Sequence, residues 1–474
     1  MSITGSDDDL LAIGRGLASN KYSSIDLTEH YFQRIARLDG NLHSYTNVMR
    51  GRALDEARRA DLLRSQGRVL GPLHGIPFAV KDVYDVEGEV TTAGSPAFKN
   101  RVATRDATVV IRLRGAGAIL LGKLATHELT HGGVDFGLPW PPARNPWNLE
   151  YDPGGSSSGA GVAVASRLCA FALGTDTGGS IRKPAAMCGI SGLKPTFGRV
   201  SRYGVILNAA SLDHCGPMAR TASDCAIVLQ AIAGTDTRDS ASASASVPDY
   251  IASIGKNIDG LRIGVVSHFW TEDLPSLPAV REGMGQAVET LRRIGAKVND
   301  VRLKSIAEYT ETKLTIQRFE LFAAYGEDIR SRRAEFGPKI RNRMDDYALI
   351  TQKAYRAAKQ RQVELTADML RSMADIDVLV TAGPGPAEPI AHVAARSGPS
   401  GGDLTLPFNL TGFPAAVTCI GFTEHDLPLS MQVVGRPFDE ANVLRVADAY
   451  ERATSWHRRH PNVEQKKNYE AASV

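Results

Sequence analysis

The chain has 474 residues, 43% of them hydrophobic, and a formal net charge of +3. So small a charge gives no reason to expect nucleic acid or a membrane surface as partner, and no apolar run reaches the length of a membrane span. An acidic, polar start (MSITGSDDDLL) lacks the features of a signal peptide, and five cysteines without a C-x-x-C pair point to a reduced, cytoplasmic protein without a cysteine-based zinc site.

The first predicted element is an amphipathic helix in SSIDLTEHYFQRIARLDG, where Leu27, Tyr31, Ile35 and Leu38 share a face and Ser23 with Asp26 forms a capping-box pattern. A charged helix follows in ALDEARRADLLRSQG. GIPFAVKDVYD then reads as a buried strand with Lys81 inside it. DATVVIRLRGAGAILLGK reads as helix, glycine break and strand, and GAGVAVASRLCAFALGTD as a tightly packed helix leading into a strand. SASASAS, at 240–246, is expected to be a solvated loop. LRIGVV is a further strand, 310–373 is helical, and IDVLVTAGPG and PAAVTCIGF are strands again. This alternation predicts an α/β fold. The expected division is an N-terminal helical segment packed on the core (1–68), a catalytic domain (69–460) and a polar C-terminal tail (461–474).

Three sites can carry chemistry. A lysine in an apolar strand either snorkels to water or is neutral, and a neutral lysine is a base. The run DPGGSSSGAG is either a flexible linker or a tight loop presenting hydroxyls. GTDTGGSIRKPA sets Ser180 behind two glycines, where backbone N–H groups can approach an oxyanion. Three motif matches lack their context. G-S-S-S-G at 155–159 resembles a nucleophile elbow without the preceding strand. S-x-x-K at 180–183 lacks the S-D-N and K-T-G partners of penicillin-recognising enzymes. H-E-L-T-H at 127–131 matches a zinc motif that needs a helix, yet Gly132 and Gly133 follow at once.

PGGSSSGAG, GTDTGGSIRKPAAMCGISGLKPTFGRVSRYG and GPLHGIPFAVKDVYDVEG together resemble the amidase signature family of serine hydrolases, and SLDHCGPMARTASD, NLTGFPA and LPLSMQVVG resemble its later blocks. The resemblance implies one large α/β domain, with a central twisted mixed β-sheet covered by helices on both faces. It also implies a Ser–Ser–Lys triad of Ser180 (nucleophile), Ser156 (bridge, at a cis peptide) and Lys81 (base). The oxyanion hole is expected from the N–H groups of Thr177, Gly178, Gly179 and Ser180. Ser157, Thr175, Asp176 and Arg182 support the triad, and Thr130, His131, Gly132 and Gly133 line the acyl pocket. No cofactor and no metal are expected.

The resemblance implies an amidase acting on small or aryl amides, carbamates, anilides or esters, with a small-molecule substrate and a homodimer left open. The alternative is the ammonia-releasing chain of the tRNA-dependent glutamine amidotransferase. Its arginine clamp is matched by Arg343, without that helix's glycine pattern. All three triad residues are present, which speaks against a non-catalytic binding protein. Lys183, where the family is usually apolar, and VTAGPGP are departures that leave the substrate undetermined.

Overall fold

A computed structural model describes residues 9–396 and 403–464. The strands, in chain order, are β1 (Tyr45–Val48), β2 (Pro77–Lys81), β3 (Ile119–Leu124), β4 (Phe171–Asp176), β5 (Ser191–Lys194), β6 (His214–Ala219), β7 (Arg262–Val265), β8 (Lys297–Asp300), β9 (Val378–Ala382), β10 (Ala415–Phe422) and β11 (Pro428–Gly435). They form one mixed sheet in the order β1-β3-β2-β4-β6-β5-β10-β11-β9-β7-β8. β2 runs parallel to both β3 and β4, and β7 parallel to both β8 and β9; the other pairs are antiparallel.

The inner strands β2, β3, β4, β6, β9 and β11 are buried at every residue, whereas the edge strands β1 and β8 are half-buried to exposed. Burial on both faces explains why β2, β3 and β9 read as largely apolar runs rather than alternating ones. Helices supply the cover. Ser24–Leu42 starts at the predicted capping box: Asp26 N donates to Ser23 Oγ at 3.0 Å, and Ser23 N donates to Asp26 Oδ2 at 2.9 Å. Its Leu27, Tyr31, Ile35 and Leu38 are buried, each contributing about 1.5–3 kcal/mol of apolar burial.

The charged stretch 310–373 resolves into Ile306–Ser331, Pro338–Tyr347 and Gln352–Ser372, the last capped by Thr351, whose Oγ1 accepts from Ala354 N. SASASAS has no regular structure, but it is anchored: Arg199 donates to the carbonyls of Ala245 and Ser246. Most of the predicted tail lies outside the described residues. Among the described residues no helix is long and apolar enough to cross a membrane.

Candidate active site

β2 and β4 lie side by side and parallel, so their carboxyl ends open on the same edge. Crevices at such ends are where open α/β sheets hold ligands. Lys81 is the last residue of β2 and is fully buried. Its Nζ donates to Ser156 Oγ at 2.7 Å and to Thr175 Oγ1, near the end of β4, at 2.8 Å. No carboxylate lies within 4 Å of it among the described residues. Desolvation lowers its pKa to about 7, against the milder opposing pull of Asp213 and Asp176. The snorkelling alternative therefore fails for Lys81: its ammonium end is inside.

The serine run is a tight loop, not a linker. The Gly155–Ser156 peptide is cis, and Ser157 precedes the helix Ser158–Ala165. Gly155 is required by packing, since a Cβ there would collide with the His127 ring. Ser157 ties the loop to its neighbours: its N–H donates to the Ser180 carbonyl at 3.2 Å, and its Oγ both donates to Thr175 O and accepts from Thr175 N. Ser180 is half-buried, and its hydroxyl makes no hydrogen bond among the described residues. The structure thus joins Lys81 to Ser156 directly and brings Ser180 to the same loop through main chain.

The loop 177–180 is braced from below. Asp176 and Arg182 are both fully buried, with Nε to Oδ2 at 3.0 Å. Burial raises the Asp176 pKa, but the Arg182 guanidinium and the bonded Asn409 overcome this and hold it well below the usual carboxylate range. Arg182 also donates to Asn409 Oδ1 and Gln432 Oε1. One expectation needs correction here. The Gly179 N–H donates to Asp176 Oδ1 at 2.7 Å, so it is committed to the brace and not to an oxyanion. Gly179 still needs to be glycine, with φ +99° and a Cβ position that the Thr405 hydroxyl would clash with. Of the four N–H groups expected to face an oxyanion, those of Thr177, Gly178 and Ser180 are not drawn into this brace.

The predicted acyl-pocket residues lie on one turn. His131 Nε2 meets Tyr347 Oη at 2.6 Å and its Nδ1 meets Gln317 Nε2 at 3.2 Å. As the Gln317 amide nitrogen can only donate, Nδ1 accepts and Nε2 carries the proton. Arg343 donates to the His131 carbonyl. Burial, with Arg343 and Lys313 nearby, keeps His131 neutral. Gly132 N donates to Glu128 O, and the Thr130 hydroxyl is buried. Gly133 lines a cavity of about 30 Å³ with His127, Trp140, Asp152 and Ser158.

A model of the family described as Amidase matches residues 26–444. The chain belongs to the amidase signature family. The A chain of the glutamyl-tRNA(Gln) amidotransferase of Roseiflexus castenholzii is 40% identical over 94% of this chain and 96% of its own length. Among solved structures, native peptide amidase from Stenotrophomonas maltophilia is 31% identical, with a TM-score of 0.86 over 98% of this chain and 100% of that one. The corresponding glutamyl-tRNA(Gln) amidotransferase chain of Thermotoga maritima is 29% identical, with a TM-score of 0.79 over 95% and 96%. Family and fold are therefore as the motifs implied: one domain built on a large mixed sheet flanked by helices.

The structure also explains two of the misleading motifs. H-E-L-T-H is not helical: Glu128–Thr130 is a single tight turn, and Leu129 and Thr130 have φ of +47° and +57°. His127 faces Gly155 while His131 faces Tyr347, so the shared helical face a zinc site requires is missing. Glu128 is instead a buried pin, accepting from Ser95 Oγ and Gly337 N. In S-x-x-K, Lys183 pairs with Asp403.

Sequence reasoning missed Lys313, Asp403 and Tyr347 at this site. Only Asp403, shortly before NLTGFPA, lay near a recognisable block.

Proposed function

We propose that the amidase signature chain hydrolyses amides through an acyl-enzyme, with Ser180 as nucleophile, Ser156 as proton bridge and Lys81 as base. The observation that carries this reading is the Lys81 Nζ–Ser156 Oγ bond of 2.7 Å, made by a buried lysine whose pKa falls to about 7. A serine hydroxyl is a weak nucleophile until a base takes its proton. Neutral Lys81 accepts the Ser156 proton while Ser156 accepts that of Ser180. Ser180 Oγ then bonds to the substrate carbonyl carbon, and the carbonyl electron pair moves to oxygen, facing the N–H groups of Thr177, Gly178 and Ser180. The proton returns through Ser156 to the departing nitrogen as the C–N bond breaks. Water, deprotonated along the same relay, cleaves the acyl ester and restores Ser180. Ser180 Oγ is unbonded and half-buried, so it can turn toward Ser156 when substrate binds; catalytic hydrogen bonds often tighten only then.

Two substrate readings share this chemistry. A free-standing amidase is supported by the likeness to peptide amidase. The ammonia-releasing chain of a glutamyl-tRNA(Gln) amidotransferase is supported by full-length relatives of that name at about the 40% level, and by Arg343 lying against the His131 carbonyl. Sequence similarity weighs toward the second, which brings companion subunits and a tRNA as partners, against the expectation of no nucleic acid. Ammonia release from a panel of amides, anilides, carbamates and glutamine separates the two. Turnover of simple amides by the chain alone supports the amidase; glutamine turnover only with companion subunits supports the amidotransferase. No turnover in either setting would overturn both.

A further inference from the structure

Among the described residues four lysines are buried: Lys81, Lys123, Lys194 and Lys313. Three are well provided with acceptors. Lys81 has Ser156 and Thr175; Lys123 has Asp82, Thr91 and Val90 O; Lys194 has the carbonyls of Pro195 and Phe413. Lys313, on the helix Ile306–Ser331 and 2% exposed, has a single protein acceptor among the described residues, Gln317 Oε1. No carboxylate lies within 4 Å of it among the described residues. An ammonium has three donors, and taking it out of water costs several kcal/mol unless partners replace the solvent.

Its position is what makes this informative. A Cβ built on Gly178 would lie 2.7 Å from Lys313 Nζ, so the ammonium touches the loop that ends in Ser180. Gln317 holds it there. The Gln317 amide is oriented by donating to Asn208 Oδ1 at 2.7 Å and toward His131 Nδ1, which sets its oxygen toward Lys313 and links the ammonium to the acyl-pocket turn. The nearest carboxylate influence, Asp403, is already paired with Lys183. Lys183 and Lys313 thus flank the Asp403 carboxylate beside the 177–180 loop, and only Lys183 is paired with it.

We propose that Lys313 is a specificity-determining residue whose ammonium binds a carboxylate carried by the acyl group of the substrate. The inference rests on the acyl-enzyme reading above and deepens it. Lys313 lies outside the Ser–Ser–Lys relay and is distinct from Arg343. Charge pairing in a water-poor site is strong, so a carboxylate at the correct distance gains affinity that an uncharged isostere lacks.

The test compares glutaramate with pentanamide, and glutarate as a probe that protects Ser180 from an uncharged fluorophosphonate. The expected result is that the wild-type chain favours glutaramate in kcat/KM by at least tenfold, and that Lys313→Met removes at least tenfold of this preference, through KM. Lys313→Arg should retain part of it. Glutarate should slow Ser180 labelling in the wild type and lose this effect in Lys313→Met. An unchanged preference or unchanged protection in Lys313→Met overturns the inference. So does an equal loss on both amides, which would make Lys313 an oxyanion donor.

If neither amide is turned over by the chain alone, the free-standing amidase reading fails, yet the protection arm still decides Lys313: no glutarate protection of the wild type refutes it. A wild-type measurement guards against a variant that does not fold. Burial and Lys183 lower the Lys313 pKa to about 7, opposed by Asp403, Asp176 and Asp213, the charged groups that face it. Protection by glutarate should therefore be present below that pH and fade above it. Protection that strengthens with rising pH contradicts the proposal.

Discussion

Lys81 and Lys313 are two buried lysines, one bonded to the serine loop at Ser156 and one lying against Gly178, both drawn down to a pKa of about 7 by desolvation. Their surroundings differ in kind. Lys81 stands on a strand inside the sheet and meets two hydroxyls that can exchange protons with it. Lys313 stands on a covering helix and meets one side-chain amide that cannot take a proton from it. Burial sets the availability of a neutral amine, but the partner decides its use: a hydroxyl relay makes a base, whereas an amide cradle makes a positioned charge. A lowered pKa alone does not identify a general base.

The largest expected effect breaks the comparison on its catalytic side. Ser180→Ala should lose at least ~10³-fold in turnover while the protein stays folded, as should Lys81→Ala, on charged and uncharged amides alike. Ser156→Ala should fall in the same range. Because one relay is cut either way, the Lys81→Ala/Ser156→Ala double variant should be scarcely worse than the worse single. Multiplying losses, measured by kcat on one substrate, would refute the relay.

The next effect concerns the brace that both lysines share. Asp176→Ala leaves the Arg182 guanidinium buried without its carboxylate, and breaking such a pair costs about 3–5 kcal/mol. Urea unfolding should show it as a lower midpoint, and a loss below ~1 kcal/mol would contradict the assigned role.

A smaller effect sharpens the electrostatics. Asp213 faces both lysines and favours their charged forms. Asp213→Asn removes that charge, so the Lys81 pKa should fall further and the acidic limb of kcat/KM should move to lower pH, by roughly half a unit at the effective dielectric of a protein interior. Movement to higher pH would reverse the sign of the account.

The smallest is no effect. Prolonged chelation should leave activity intact, because the two histidines of H-E-L-T-H face different elements. Loss restored by added zinc would show otherwise.

Much of this site was readable because it is built from local signals. The Ser23–Asp26 cap, the apolar run around Lys81 and the glycine-flanked serines each carry their meaning within a few residues. What escaped depends on distant chain. TETKLTIQ falls in a stretch legible only as helical, and Lys313 is buried where the helix Leu406–Leu410 packs on its own helix and Gly178 lies against its ammonium. The edge strand β1, four half-buried to exposed residues long, has no apolar alternation to announce it. Gly179 was misassigned for a related reason: a G-G-S turn shows that N–H groups are concentrated there, but not that a carboxylate three residues back captures one of them.

The central claim is that neutral Lys81 activates Ser180, and it can be tested without knowing the physiological amide. The measurement is the second-order rate of Ser180 labelling by an uncharged fluorophosphonate as a function of pH. Below its pKa the Lys81 ammonium cannot accept a proton; above it the neutral amine can, so the rate should rise along a limb at about 7. His127, lowered to about 3 by burial and nearby cations, and His131, held well below its usual value, cannot supply that limb. In Lys81→Ala the limb should vanish together with nearly all of the labelling. A limb that persists unchanged in the residual reactivity of Lys81→Ala would assign the base to another group and contradict the account.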